Sequence, residues 1–408
     1  MIVDVDSHVY EPETIWTEYL EEKSAAGSFA LRPEGVVLNG TIARPLNRSN
    51  INRRAIWRPG MTPESIGWLD LHGDQPPNPG AWDPRARLAD LDVLGVDRQV
   101  VLPTLFGEYF PAVQDPEAAA SLARAYNNWA HDFAQAGEGR LHPTAVVPLQ
   151  AIDDAVAELE RSASRGFRSV LMRPMFVAGH DADAPIPPAL VTAANPNGVF
   201  IDNAVFRPIW ARIEELGLVA CVHPYLGIAN NEATSEGTFV ERVSEKLGIG
   251  HTVAEPVAYM QDNAMFLVIA LFHGLLEDYP RLKLALLHSG ASMVPLAIEK
   301  AETYLWLSPG SMMGAAPVCL EPEEVFDRSS VIVGFDGWES AVPRMADFFG
   351  PRGAWGSRYP NHDTSSPAEA IGLLEQYQAP AATIERLLGD NAARLFGLVP
   401  SRDRALQQ

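Results

Sequence analysis

The distribution of hydrophobic and polar residues along the chain predicts short strands that alternate with helices. Strands are predicted for the apolar runs at residues 2–5, 98–102, 145–149, 169–172, 218–222, 282–287, 331–335 and, more weakly, 353–356. Helices are predicted for the amphipathic or long apolar stretches at residues 85–94, 116–136, 151–164, 206–216 and 256–278. Fully apolar strands separated by helices are typical of a parallel sheet that helices cover on both faces.

The number and order of these elements predict a (β/α)8 barrel, the TIM-barrel fold. An open, doubly wound sheet is the alternative. A nucleotide-binding version of that sheet is disfavoured, because no glycine-rich phosphate-binding sequence follows the first strand. We expect one domain over residues 1–400, followed by a frayed tail at 401–408.

Two segments do not fit the alternation of strands and helices. Residues 22–84 are rich in Pro, Gly, Asn and Arg, and they predict an insertion over one mouth of the barrel. Residues 174–204 are rich in Pro and Asn, and they predict a long loop after the fourth barrel strand. Long loops at the C-terminal mouth of such barrels usually shape a substrate pocket.

Composition limits the partners of the chain. Its 408 residues have a net charge of −21, which disfavours nucleic acid and anionic membranes. Two cysteines cannot form a disulfide framework. The start lacks the features of a signal peptide, and the most apolar run, residues 264–272, is too short to cross a bilayer. We therefore expect a cytoplasmic protein with a small-molecule substrate, and a homodimer is compatible with the sequence.

Polar side chains follow several of the predicted strands. Asp6 and His8 end the first strand, where alternate residues share a face, and His223, His288 and Asp336 follow three later strands. The C-terminal ends of barrel strands meet at one mouth, so these side chains should converge. Carboxylate and imidazole together suit zinc, iron or manganese. Taken singly, each histidine has a structural alternative: His223 before a proline could cap its strand, and His288 could form a hydrogen bond to the backbone in a turn.

The motifs of the chain resemble those of the amidohydrolase-related family, which includes decarboxylases, hydratases and hydrolases. The resemblance rests on Asp4-x-Asp6-x-His8, Arg87-Leu88-x-x-Leu91-Asp92-x-x-Gly95-Val96-Asp97, Val222-His223-Pro224, Leu287-His288-Ser289-Gly290, Trp355-Gly356-Ser357 and Gly389-Asp390-Asn391-Ala392-Ala393-Arg394-Leu395. It implies that Asp6, His8 and His223 bind a metal. It also implies that His288 is catalytic or a further ligand.

The chain departs from the family pattern at the eighth strand. The family carries Ser-Asp-Tyr-Pro there, and its aspartate binds the metal and handles the proton of bound water. This chain has Ser357-Arg358-Tyr359-Pro360. Arginine cannot bind a metal or act as a general base. The site is therefore degraded or rebuilt, and nearby acids and histidines favour rebuilding: Glu11, Asp336, Glu339, His362 and Asp363.

A rebuilt site rich in His and carboxylate is similar to that of an oxygen-activating offshoot of these barrels. The offshoot contains non-haem diiron monooxygenases that hydroxylate CoA-linked diterpenoid acids in antibiotic biosynthesis. The similarity implies two iron ions, O2, an acyl-CoA substrate and an external electron donor. Its metal ligands would be Asp6, His8, Glu11, His223, His288 and Asp363. His288 and Arg358 would be catalytic, with Arg358 paired to a carboxylate or bound to an anionic group of the substrate.

Two other hypotheses stay open at this point. The first is a mononuclear zinc or manganese hydrolase or decarboxylase, in which Asp336 or Asp363 replaces the missing aspartate. The second is a ligand-binding barrel that has lost both its metal and its activity.

Overall fold

A computed structural model describes residues 1–32, 34–45, 55–72, 76–177, 198–201, 204–225, 251–307 and 321–398. Its strands are β1 (Val3–His8), β2 (Phe29–Arg32), β3 (Gly35–Leu38), β4 (Thr41–Pro45), β5 (Arg98–Leu102), β6 (Leu141–Ala145), β7 (Ser169–Met172), β8 (Met175–Val177), β9 (Gly198–Phe200), β10 (Val219–Val222), β11 (Lys283–Leu286), β12 (Ser330–Phe335) and β13 (Gly353–Trp355).

The helices alternate with these strands along most of the chain. They are α1 (Pro63–His72), α2 (Pro84–Leu94), α3 (Leu105–Tyr109), α4 (Pro116–Gln135), α5 (Ile152–Ser164), α6 (Arg207–Leu216), α7 (His251–Phe272), α8 (Leu275–Asp278), α9 (Met293–Leu307), α10 (Pro322–Arg328), α11 (Ala341–Arg344), α12 (Ala346–Phe349), α13 (Pro367–Gln376), α14 (Ala381–Glu385) and α15 (Asn391–Phe396). Short 3₁₀ or π turns lie at Ile15–Tyr19, Lys23–Gly27, Pro79–Ala81, Phe110–Ala112, Ala204–Phe206 and Arg386–Asp390.

Eight parallel strands form the barrel, in the order β1, β5, β6, β7, β10, β11, β12 and β13. The segment after β13 closes it against β1. There, the Arg358 amide donates to the Asp6 carbonyl and the His8 amide donates to the Tyr359 carbonyl, both at 2.6 Å. The predicted TIM-barrel fold is confirmed.

The helices begin and end where the sequence supplies caps. The Asp83 side chain accepts from the backbone of the first turn of α2, and Asp115 does the same for α4. Gly95 ends α2 and Gly217 ends α6, both in the left-handed conformation that glycine adopts without strain. These caps fix short connections, which return the chain directly to the next buried strand.

Most predicted bounds agree with the structure to within a few residues, and two differ by more. The third barrel strand is Leu141–Ala145, four residues before the run predicted at 145–149. The partly buried His142 interrupts the apolar run at the start of this strand. Val146 and Val147 are buried in the loop that follows, so the apolar run continues beyond the strand end. The long helix predicted to end at residue 278 is interrupted at Gly274, where φ is 74°.

The predicted insertion contains its own small sheet. Strands β2, β3 and β4 pair antiparallel. Two later residues of the insertion contact the barrel-closing segment, where the Trp57 amide donates to the Pro360 carbonyl and Asn78 Nδ2 lies 3.1 Å from the Tyr359 hydroxyl. Most of the predicted loop at 174–204, and the tail at 401–408, lie outside the described residues. Among the described helices, none combines the length and the apolar character that crossing a membrane would require.

Candidate metal centre

Four side chains converge at the C-terminal mouth of the barrel. Asp6 and His8 end β1, His223 directly follows β10, and His288 lies two residues beyond β11. One ligand atom of each lies within 4.8 Å of the others. The convergence follows from the parallel barrel, because all of its strands end at the same mouth.

The spacing of the ligand atoms fits a single metal ion. Asp6 Oδ1 lies 3.2 Å from His8 Nε2 and 3.4 Å from His223 Nε2, and Asp6 Oδ2 lies 3.6 Å from His288 Nδ1. Ligand atoms about 2.1 Å from a tetrahedral zinc ion are roughly 3.4 Å apart. The four side chains therefore surround a space of the right size.

The hydrogen bonding of these side chains also fits a metal. Asp6 Oδ1, His8 Nε2, His223 Nε2 and His288 Nδ1 are buried, and none has a hydrogen-bond partner within the described part of the chain. His8 Nδ1 lies 2.9 Å from the Pro103 carbonyl. That carbonyl can only accept, so Nδ1 carries the proton and the Nε2 lone pair faces the cluster. Buried polar atoms without partners are rare in proteins, and a bound cation would satisfy all four.

The charges of the cluster suit a divalent cation. Burial alone would raise the pKa of Asp6, but the three neighbouring histidines hold this pKa well below its usual range, so Asp6 is a carboxylate. Burial lowers the pKa of His223 to about 3, which keeps its imidazole neutral. Burial opposes protonation of His8 as well, but the adjacent Asp6 carboxylate leaves the pKa of His8 raised. Such side chains bind metal as carboxylate and neutral imidazole, so a bound cation would displace the proton that Asp6 favours on His8.

Arg358 lies beside the cluster between two carboxylates. Its Nη2 is 3.0 Å from Asp336 Oδ2, and its Nε is 3.3 Å from Asp363 Oδ2. Burial alone would raise the pKa of Asp363, but the Arg358 guanidinium lowers it below its usual range. The approach of this segment to β1 requires Gly356, because a Cβ there would lie 2.5 Å from the Asp6 Cβ.

Glu339 extends this network toward His288. Its carboxylate accepts from the Ala291 amide at 2.6 Å and from the Asp336 amide at 3.1 Å. Burial and the neighbouring Asp336 raise the pKa of Glu339 to about 7. A small cavity is lined by Asp6, His288, Asp336, Glu339 and Arg358.

The structure brings four of the six predicted ligands together, and the other two lie elsewhere. The Glu11 carboxylate accepts from the backbone amides of Thr104, Leu105 and Phe106, at 2.6 to 3.1 Å. The Asp363 carboxylate pairs with Arg358 instead, and His362 Nδ1 lies 3.9 Å from Asp363 Oδ1.

Two residues near the site were not predicted from the sequence. The Tyr225 ring lies 4.4 Å from the His223 ring, and its hydroxyl donates to the Pro103 carbonyl at 2.9 Å. The Arg173 guanidinium lies 4.8 Å from the centre of the Tyr225 ring. Arg173 directly follows β7 and Tyr225 lies three residues beyond β10, and this proximity to strand ends is the signal that would have identified them.

Comparisons with known proteins identify relatives. The family model described as amidohydrolase matches residues 69–398. The 6-methylsalicylic acid decarboxylase of Penicillium expansum is 27% identical over 203 residues, or 48% of this chain and 55% of that protein. A gamma-resorcylate decarboxylase of Rhodococcus jostii (strain RHA1) is 26% identical over 327 residues, or 78% of this chain and 91% of that protein. The chain spans about half the length of several curated relatives that it matches.

Solved structures have the same fold. An amidohydrolase from Mycobacterium avium subsp. paratuberculosis K-10 matches with a TM-score of 0.70 and 20% identity, over 97% of this chain and 99% of that one. A 5-carboxyvanillate decarboxylase from Novosphingobium aromaticivorans DSM 12444, complexed with manganese, matches with a TM-score of 0.64 and 17% identity, over 98% of this chain and 96% of that one.

These findings correct the predicted reaction. The relatives that the chain matches are decarboxylases, so the prediction of a diiron monooxygenase is wrong. Decarboxylation breaks a carbon–carbon bond without net oxidation, so it needs no O2, no iron pair and no external electron donor. The comparisons do not support an acyl-CoA diterpenoid substrate, and the predicted homodimer and cytoplasmic location stay predictions.

Proposed function

The chain belongs to the amidohydrolase family, and from this premise we propose that it is a metal-dependent decarboxylase of a hydroxylated aromatic carboxylic acid. The observation that carries the proposal is the buried cluster of Asp6, His8, His223 and His288, whose ligand atoms face one another without hydrogen-bond partners among the described residues. The names of the curated relatives, which are decarboxylases of 6-methylsalicylic acid and gamma-resorcylate, support the class of reaction and substrate.

Asp6, His8 and His223 are the proposed metal ligands, with Mn²⁺ or Zn²⁺ as the ion. Both ions accept carboxylate and imidazole ligands. The bound ion would supply Lewis-acid polarisation of the oxygen atoms of the substrate. The side chains of His8 and His223 are each 3% exposed and that of Asp6 is 4% exposed, which suits residues that hold an ion rather than contact a substrate.

His288 is the proposed proton carrier. Its side chain is 10% exposed, so it is the imidazole of the cluster that a substrate reaches most easily. In the reaction the bond between the ring carbon and the carboxylate carbon breaks, and CO2 leaves. The electron pair stays on the ring carbon, which takes one proton. An imidazole can give this proton to the ring carbon and regain one from water.

Arg358 is proposed to bind an oxyanion of the substrate. It is always protonated, and Asp336 and Asp363 fix the direction of its guanidinium. Within the described part of the chain these bonds use Nη2 and Nε, which leaves Nη1 for the substrate. Negative charge moves onto the ring and its hydroxyl oxygen as CO2 departs. A fixed cation beside that oxygen stabilises the transition state more than the ground state.

The test is decarboxylation of defined acids without oxygen. Metal-free protein and protein loaded with Mn²⁺ or Zn²⁺ are incubated under nitrogen with 6-methylsalicylate, 2,6-dihydroxybenzoate or 5-carboxyvanillate, and CO2 and the aromatic product are measured. We expect equal amounts of both, only with metal. His8→Ala should abolish the reaction. His131→Ala, at a partly exposed histidine 3.2 Å from Asp132, should not. No product from any of the acids by metal-loaded protein overturns the proposal.

A further inference from the structure

One buried side chain contacts the ends of the two paired strands that precede His223 and His288. Asn263 on α7 is fully buried. Its Nδ2 donates to the Leu287 carbonyl at 2.9 Å and lies 3.4 Å from the Val222 carbonyl. These two carbonyls belong to the residues immediately before the two histidines. The amide therefore adds side-chain contacts to both strand ends where the site begins, beside the backbone bond from the Leu287 amide to the Val222 carbonyl at 3.0 Å.

The orientation of the Asn263 amide follows from its neighbours. Backbone carbonyls can only accept, so the group that faces them is the NH2 and not the oxygen. The same Nδ2 also forms a short hydrogen bond to Ser289 Oγ. Asn263 Oδ1 is buried and has no partner among the described residues. A buried oxygen without a partner lowers stability, and an apolar side chain would avoid this cost. The asparagine therefore indicates that its two N–H donors are needed at this position.

These donors hold the backbone at a strained residue. His288 has a φ of 58°, in the left-handed region that residues other than glycine rarely adopt. The carbonyl just before it, on Leu287, lies beyond the last paired residue of β11 and accepts from Asn263 Nδ2 and from Ser289 Oγ. Strained residues persist where the surroundings fix them, and they cluster at functional sites.

We infer that Asn263 is a positioning residue that sets the separation and the angle of His223 and His288 for metal binding. The two rings have centroids 4.8 Å apart and planes 31° apart. Each ring belongs to the residue that comes directly after a carbonyl contacted by Asn263, that of Val222 or that of Leu287. The inference rests on the proposed metal-binding function, and it adds a residue that contacts neither the metal nor the substrate.

Asn127 provides a matched control. It is also fully buried and also bonds the backbone just after a barrel strand: its Nδ2 donates to the Val146 carbonyl at 2.8 Å, and its Oδ1 accepts from the Val146 amide at 2.9 Å. That strand, β6, carries no residue of the cluster. Removing either amide should therefore destabilise the fold, but only the loss of Asn263 should change the metal site.

The experiment titrates Co²⁺ into purified wild type, Asn263→Asp, Asn263→Ser and Asn127→Ala. The affinity is measured by competition with a chromophoric chelator, and the geometry by the visible absorption of bound Co²⁺. We expect about tenfold or greater loss of affinity and an altered spectrum for Asn263→Asp, which replaces the donors by acceptors. Asn263→Ser, which keeps one donor, should lie between it and the wild type. Asn127→Ala should match the wild type in affinity and spectrum.

The outcomes separate this inference from the proposed function. If wild type binds Co²⁺ and both Asn263 variants bind it with the same affinity and spectrum, the positioning role is overturned and the metal site stands. If Asn127→Ala weakens binding as much as Asn263→Asp does, the effect is general destabilisation, and the inference is again overturned. If wild type itself binds neither Co²⁺, Mn²⁺ nor Zn²⁺, the metal-dependent function fails, and the positioning role fails with it.

Discussion

Replacing Glu11 with glutamine distinguishes a structural role of this side chain from metal binding. The carboxylate accepts from three consecutive backbone amides at the start of α3, those of Thr104, Leu105 and Phe106. The first turn of a helix has amides without intrahelical partners, and Glu11 supplies their acceptors. We therefore expect Glu11→Gln to retain its metal and to lose stability.

The size of the loss follows from the bonds that glutamine can keep. The amide oxygen of glutamine can still accept from Thr104 and Phe106, as Glu11 Oε1 does. The NH2 group would then face the Leu105 amide, which Glu11 Oε2 accepts at 3.1 Å in the native protein. One buried donor is left without a partner, which costs about 1–3 kcal/mol of the free energy of unfolding.

Urea denaturation measures this loss. Elemental analysis of the same preparations measures bound metal. Glu18→Gln, at an exposed position, is the control and should change stability by less than about 0.5 kcal/mol. Loss of metal from Glu11→Gln, with unchanged stability, would refute the structural role.

Three further predictions concern the mouth of the barrel. His8→Ala should lose most of its bound metal, as elemental analysis after dialysis would show, and full retention would contradict the assigned ligands. Arg358→Gln should lower the free energy of unfolding by about 2–3 kcal/mol in urea, because it leaves Asp336 and Asp363 without their partner in a partly solvated site. Because the pKa of Asp363 is lowered in the native protein, its ion pair with Arg358 stabilises the fold above about pH 4, and this stabilisation is lost as the pH falls. Arg358→Gln should therefore lack this part of the loss of stability in acid. Burial raises the pKa of Glu339 to about 7, so the protonated side chain contributes fully to stability below its ordinary pKa, and this contribution is lost as the pH rises through 7. Glu339→Gln should therefore flatten the fall in the free energy of unfolding between pH 5 and 8. An unchanged slope would contradict this.

The positions of the cluster residues could be predicted because they depend on regular geometry. Apolar runs identified the strands, and parallel strands in a barrel bring their C-terminal ends to one mouth. Asp6, His8, His223 and His288 therefore converge as predicted, although Asp6 and His288 are 282 positions apart in the sequence. The one barrel strand that was misplaced, β6, contains His142 and Pro143, which obscure its apolar pattern.

Roles that depend on distant irregular backbone could not be predicted. The proximity of Glu11 to Asp6 and His8 in the sequence suggested a ligand, whereas its acceptor oxygens face amides more than 90 residues away. Nothing in the sequence around Asn263 indicates its contacts with two strand ends. The predicted reaction is wrong because one fold supports many chemistries, and because an arginine in place of the aspartate, Arg358, does not by itself indicate a redox site.

The closure of the barrel has a consequence for the order in which the molecule folds. The Arg358 and His8 amides join the last strand segment to the first, across more than 350 residues, and Ser357 Oγ donates to the Asp4 carboxylate in the same seam. Contacts between such distant residues form late, because most of the chain must be ordered first. During synthesis on the ribosome, β1 leaves the exit tunnel long before its partner is made. Asp6 and His8 therefore remain beside an open edge until the segment that contains Arg358 and Tyr359 has been made, so the nascent chain should bind a metal only after the barrel closes.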